Sequence, residues 1–299
     1  MLQILESFKG DDICAWMGEH LEVPVIAVTL YLVMVLYIPG TCMNMREPYN
    51  LRQLNRAWNL LLTIFSFSGA YYCLPQLYRT LLMPEFTLRD YTTGSDVTWK
   101  GGIYNTLCLW NTNIFFDGPV GAFVCLFVLS KIPEMLDTAF LVFQKKPVIF
   151  LHWYHHVTVM LYCWHAYMYK ISGGLVFASM NYGVHSIMYL YYFICSCGYR
   201  KLVRPLAPLI TFLQIAQMVI GMLVEVVTLY HIHFSGKGCR SNATNARLGL
   251  MMYVSYFVLF SKLFYDNYLK PASPRSSVAR RSGPAPDVNG QTVVRKKGQ

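Results

Sequence analysis

Seven runs of about twenty mostly apolar residues leave this chain few ways to fold. They cover 23–39, 57–78, 119–143, 148–169, 174–197, 206–230 and 248–269. A helix needs about 20 such residues to cross the hydrocarbon core. Hydrocarbon also forces each crossing segment to satisfy its own backbone hydrogen bonds. The expected fold is therefore all-α and polytopic, with seven transmembrane helices. Charged residues are 13% of the 299, about half the share in an ordinary soluble domain. Aromatic residues reach 15%, which excludes a disordered chain. The first run is short and stops at Pro39-Gly40.

The few charges set an expected orientation. Fifteen Lys and Arg fall on one side of the seven runs, eight on the other and two inside them. The richer side should be cytosolic. That makes residues 1–22 a lumenal N-terminal segment, 23–269 the membrane domain and 270–299 a disordered, basic cytosolic tail. Residues 1–22 hold five acidic residues and one lysine, unlike the basic start of a cleavable leader. Asn242-Ala243-Thr244 is a glycosylation sequon on the expected lumenal side. Lys296 and Lys297, fourth and third from the end, resemble the dilysine signal that retrieves membrane proteins to the endoplasmic reticulum. The net charge of +10 then reflects topology and anionic lipid, with no case for nucleic acid. The nine cysteines are scattered, and no CxxC occurs. They read as small apolar helix residues, with no zinc site and no disulfide framework.

Ionisable residues inside spans are costly, so each is a candidate for function. The third run carries Lys131, Glu134 and Asp137, followed by Thr138. On one continuous helix they form a single stripe in which Lys131 and Glu134 neutralise each other. Gluing helices together is the structural alternative. The fourth run opens with His152, His155 and His156 on one helical face. Such imidazoles suit either a metal or nucleophilic and base chemistry. The fifth carries Asn181 and His185, then Tyr189 and Tyr192; the sixth carries Thr211, Gln214 and Gln217. Counted from the expected cytosolic ends, Asp137, His155, His185 and Gln214 lie at a common depth of about 9–18 Å. Lys262 and Asp266 of the last run fall near the same level. Four polar stripes at one depth describe a buried site that opens to the cytosol.

In order along the chain, these residues resemble the ELO family of membrane fatty acid elongases. Lys131-x-x-Glu134-x-x-Asp137-Thr138 is similar to the family's KxxExxDT, and His152-x-x-His155-His156 to its HxxHH box. His185-x-x-Met188-Tyr189-x-Tyr191-Tyr192 and Thr211-x-x-Gln214-x-x-Gln217 complete the set. HxxHH alone is shared with other membrane enzymes; four ordered motifs on separate helices are specific.

The resemblance implies condensation of a long-chain acyl-CoA with malonyl-CoA, giving 3-oxoacyl-CoA, carbon dioxide and CoA. It implies no cofactor and no metal. Helices two to seven would form a barrel of two inverted three-helix units around an acyl tunnel. His155 would take the acyl group, His185 would assist, and His152 and His156 would orient the box. Lys131, Glu134 and Asp137 would hold the histidines, while Asn181, Gln214 and Gln217 would donate to substrate oxygens. Tyr189, Tyr192, Arg200, Lys201, Arg204 and Lys262, with Lys145 and Lys146, are candidates for the substrate and CoA contacts. The Trp-Tyr inside the histidine box resembles members acting on saturated or monounsaturated chains. Partners would be membrane lipid and the ketoacyl-CoA reductase, dehydratase and enoyl-CoA reductase of the same cycle. The sequence leaves a homodimer open.

Two other classes fit less well. A di-iron desaturase needs about eight or more histidine ligands, and this chain has eight histidines with only one box. A seven-helix receptor does not account for four polar stripes at one depth.

Overall fold

The computed structural model describes residues 2–270; the tail, with Lys296 and Lys297, lies outside them. Two short helices, α1 (Leu2–Glu6) and α2 (Gly10–Glu19), lead into α3 (Glu22–Leu36). α2 and α3 meet at a 67° bend. α4 (Arg52–Leu82) is the longest helix and accommodates Pro75. A hairpin of β1 (Glu85–Arg89) and β2 (Asp96–Lys100) follows, antiparallel with Thr87 opposite Thr98. In its turn the Thr92 amide donates to Asp90 at 2.7 Å. That bond holds the Asp90 carboxyl below its ordinary range. Then come α5 (Ile103–Cys108), α6 (Thr112–Phe115), α7 (Gly118–Ser130), α8 (Leu136–Phe143), α9 (Phe150–Met168) and α10 (Gly174–Ile194). The short α11 (Arg200–Val203) precedes α12 (Ala207–His233) and α13 (Ala243–Phe264).

The protein is a multi-pass, predominantly helical membrane protein. Among the described residues four helical segments are long and apolar enough to cross a membrane: Arg52–Leu82, Gly118–Phe143, Gly174–His233 and Ala243–Leu269. The bent α2–α3 pair makes a fifth. All seven expected runs fall on helices, with three differences. Gly174–His233 is interrupted at Gly198, whose φ of 98° breaks the rod between α10 and α12. α9 carries three histidines in its first two turns, so its polarity keeps it outside the apolar class. The third run is not one helix: Pro133 opens a 3-10 turn at Pro133–Met135 between α7 and α8. The stripe expected at Lys131, Glu134 and Asp137 is therefore bent.

The hairpin also departs from the all-α expectation. Phe86 and Leu88 turn inward on β1, and apolar alternation over five residues is too short to stand out in a long polar loop.

Close packing follows small residues, as membrane helices require. The Tyr182 ring occupies the place a Cβ would take at Gly69, locking α4 to α10. Tyr253 does the same at Gly221, locking α12 to α13. Further contacts join α10 to α12, α13 to α9, α9 to α7 and α7 back to α4.

Cys108 and Cys239 form a disulfide across 131 residues, tying the end of α5 to the loop before α13. This corrects the expectation that the cysteines are only small apolar helix residues. Among the described residues the other seven cysteines form no disulfide. Closing so long a loop stabilises a fold by about 2–4 kcal/mol. Cys108→Ser, Cys239→Ser or reduction should each lower the thermal unfolding midpoint of the detergent-solubilised protein. The double variant should fall no further than either single one.

Candidate active site

One cavity of about 500 Å³ runs between the helices and collects most of the polar residues singled out above. Glu134, Asp137, His152, His155, His156, Asn181, His185, Thr211, Gln214 and Gln217 all line it, as do Tyr189, Tyr192 and Arg200. Lys131 is 2% exposed and lies behind the wall. Lys201 and Arg204 are exposed and absent from the lining. Lys262 also lies off it, with 69% of its side chain exposed and paired to Asp266 at 2.6 Å.

The bend at Pro133 determines what each motif residue meets. Lys131 Nζ donates to both Glu134 oxygens at 2.9 Å and to Asn181 Oδ1 at 3.3 Å. Asn181 Nδ2 is 3.1 Å from His185 Nε2. An ammonium can only donate, so Asn181 turns its oxygen to Lys131 and its amide hydrogens to His185. His185 Nε2 must then accept, and its proton resides on Nδ1. The buried ion pair thus orients a histidine indirectly, through an amide.

Asp137 meets no imidazole. Its Oδ1 accepts from Trp58 Nε1 at 2.7 Å and its Oδ2 from Tyr189 OH at 2.9 Å. Of the two carboxylates expected to hold the histidines, Glu134 reaches His185 through Lys131 and Asn181, whereas Asp137 bonds to Trp58 and Tyr189. Thr138 Oγ1 lies 2.9 Å from His152 Nε2. Along α9 the rings of His152 and His156 are 4.7 Å apart, and those of His155 and His156 are 5.5 Å apart.

Among the described residues the His155 and His156 rings make no hydrogen bond, unlike those of His152 and His185. His155 stands 5.1 Å from the Tyr256 ring and faces the cavity, whereas the buried His156 ring packs against those of His152, His155 and Tyr31. Tyr256 is held by Thr158 at 2.5 Å. Among the described residues, no three His, Cys, Asp or Glu side chains are arranged to hold a metal ion.

Several lining residues were missed. Arg52, Asn55 and Asn59 come from the first turns of α4, which begins five residues before the apolar run. Their i, i+3, i+7 spacing is the signal that was available. Lys146 joins Arg52 and Arg200 in the lining near that end. The other end reaches Tyr162, nearly three turns past His152 and about 15 Å along α9. There Tyr162 OH donates to Glu225 at 2.6 Å, with Asn245 Oδ1 at 3.1 Å. Asn245 Nδ2 lies 2.8 Å from His165 Nδ1. This polar floor was not read from sequence, because single residues on three separated helices carry no local pattern.

A second, almost entirely apolar groove of about 610 Å³ lies along α4 and α8. Leu51, Leu54, Trp58 and Leu61 line it from α4 and its start, and Phe140 lines both groove and cavity.

The profile of the GNS1/SUR4 (ELO) family matches residues 16–276. The chain belongs to the ELO family of fatty acid elongases. This ELO protein is similar to "Fatty acid elongase 3" of Trypanosoma cruzi (strain CL Brener), 57% identical over 274 residues, 90% of this chain and 91% of the relative. "Fatty acid elongase 3" of Trypanosoma brucei brucei (strain 927/4 GUTat10.1) is 53% identical over 278 residues, 91% and 92% of the two chains. "Very long chain fatty acid elongase 4" of T. cruzi is 44% identical over 292 residues, 98% and 96%. The four motifs of the ELO protein all fall within the matched range.

Proposed function

We propose that this ELO protein is a 3-oxoacyl-CoA synthase, an acyltransferase that condenses a long-chain acyl-CoA with malonyl-CoA. The carrying observation is the His155 ring, which faces the cavity without a hydrogen bond while His152 and His185 are tied. A His155 nitrogen attacks the thioester carbonyl, the C–S bond breaks, and CoA leaves with the proton. Malonyl-CoA then loses carbon dioxide, and its α-carbon attacks the acyl-imidazole. The C–N bond breaks, 3-oxoacyl-CoA forms, and the departing imidazole takes up a proton from solvent, which restores His155. His185 presents Nδ1–H to the substrate oxygen, and Gln214 and Gln217 supply further donors. His156 keeps the box aligned by ring contact.

Arg52, Lys146 and Arg200 in the cavity lining suit the CoA phosphates, whereas Lys201, Arg204 and Lys262 are steering charges at most. The acyl tail runs towards Tyr162. We assign the substrate to saturated or monounsaturated chains on the histidine-box resemblance. The ring of contacts α4–α10–α12–α13–α9–α7 supports a six-helix barrel of two three-helix halves around this cavity. A disulfide belongs to an oxidising compartment, which supports a lumenal position for the Cys108–Cys239 end and a cytosolic mouth at Arg52 and Arg200. On that lumenal side Asn242 is a glycan acceptor: its Oδ1 caps α13 at the Asn245 amide, 2.9 Å away, and Nδ2 is not used in the cap. Retrieval through Lys296 and Lys297 would keep the protein in the endoplasmic reticulum beside the reductases and dehydratase of the cycle.

A double displacement is tested by acyl-CoA alone. One equivalent of CoA should be released per protein, with an acyl mass gained on the peptide holding His155. If no CoA is released until malonyl-CoA is added, the covalent intermediate is wrong. If carbon-14 from malonyl-CoA never enters a longer chain, the whole reading fails.

A further inference from the structure

We infer that Tyr31, on α3, is a positioning residue that fixes the proton of His152, and that α3 is therefore part of the catalytic apparatus. Tyr31 OH lies 2.8 Å from Thr138 Oγ1, and Thr138 Oγ1 lies 2.9 Å from His152 Nε2. Tyr31 is 3% exposed and Thr138 is fully buried. The Tyr31 ring also sits 6.0 Å from that of His156. Tyr31 belongs to none of the four motifs.

The direction of the relay follows from counting hydrogens. Each hydroxyl has one hydrogen to give. If His152 Nε2 carried a proton, it would donate to Thr138, and Thr138 would donate to Tyr31. The Tyr31 hydrogen would then have no acceptor, since its hydroxyl has no other partner among the described residues. A buried donor left without a partner is strongly disfavoured. In the opposite direction Tyr31 donates to Thr138, Thr138 donates to His152 Nε2, and every hydrogen is used. His152 is held with Nε2 bare and its proton on Nδ1. Its Nε2 lone pair is engaged by Thr138 and is withdrawn from competition with His155 for the acyl group. His185 is fixed in the same tautomer by Lys131 and Asn181, so two relays set the proton inventory around His155.

This inference rests on the proposed acyl transfer only for its kinetic arm. Nitrogen-15 histidine spectra of the wild-type protein should show a signal with bare Nε2 that is lost in His152→Gln. In Tyr31→Phe, which keeps the ring, that signal should become a mixture of tautomers while the thermal unfolding midpoint stays in place. Acyl transfer should slow about tenfold through kcat, with KM for acyl-CoA unchanged. Thr138→Ser should retain both properties and Thr138→Val should lose them. A protonated Nε2 in the wild type, or an unchanged tautomer in Tyr31→Phe, overturns the inference. Wild-type protein that gives the expected spectra without elongating malonyl-CoA would sink the functional reading and leave the tautomer assignment standing.

Discussion

His155→Ala abolishes chain elongation, with a fall of about 10⁴-fold in the condensation rate, equal to about 5.4 kcal/mol of barrier. The buried His156 ring is packed against those of His152, His155 and Tyr31 and is not placed to take over. His152 Nε2 is engaged by Thr138, and His185 Nε2 accepts from Asn181. The loss should lie in the first half-reaction, so acyl-CoA alone should release no CoA from the variant. A His155→Ala protein that still elongates at more than a hundredth of the wild-type rate would move the nucleophile elsewhere. Binding should persist, because the cavity walls and the Arg52–Lys146–Arg200 cluster are untouched. Thermal stabilisation by a non-hydrolysable acyl-CoA analogue measures it.

Lys131→Met should act on stability and chemistry together. The ion pair is enclosed, with side-chain exposures of 2% and 5% for Lys131 and Glu134. Removing the ammonium strands a carboxylate that keeps only the Ser130 hydroxyl at 2.6 Å. Breaking a buried pair from one side costs about 3–5 kcal/mol. Adding Glu134→Gln removes the stranded charge and should restore most of the unfolding midpoint. Activity should not return with it. Without an ammonium at its oxygen, Asn181 can turn over and present that oxygen to His185, which reverses the tautomer. Recovery of stability without recovery of turnover separates the two roles; joint recovery would make the pair purely structural.

The helices and the residues that share the cavity were legible because both rest on patterns. Apolar length marks a span, and a costly polar residue inside it marks a site. Partners were less legible. Asp137 was expected beside an imidazole because both lie at one depth, but Pro133 turns it towards Trp58 and Tyr189. Depth fixes the level of a side chain and not its bearing about the helix axis. The disulfide was missed for a related reason. Cys108 and Cys239 sit 131 residues apart, and only their shared placement on the expected lumenal side pointed to a pair. Glu225, Tyr162 and Asn245 come together from three helices whose rotational settings no local period encodes. Arg52 and Asn55 escaped because the apolar run was taken to begin after them, and Asn59 because it stood as a single polar residue near the start of that run.

Phe140 has the apolar groove on one side and the catalytic cavity on the other. Close-packed interiors transmit strain. An acyl tail seated in the groove would press on a ring that also lines the cavity. Lateral pressure in the surrounding bilayer would then have a one-residue path to the site, so elongation assays should be run in bilayers of stated thickness and saturation.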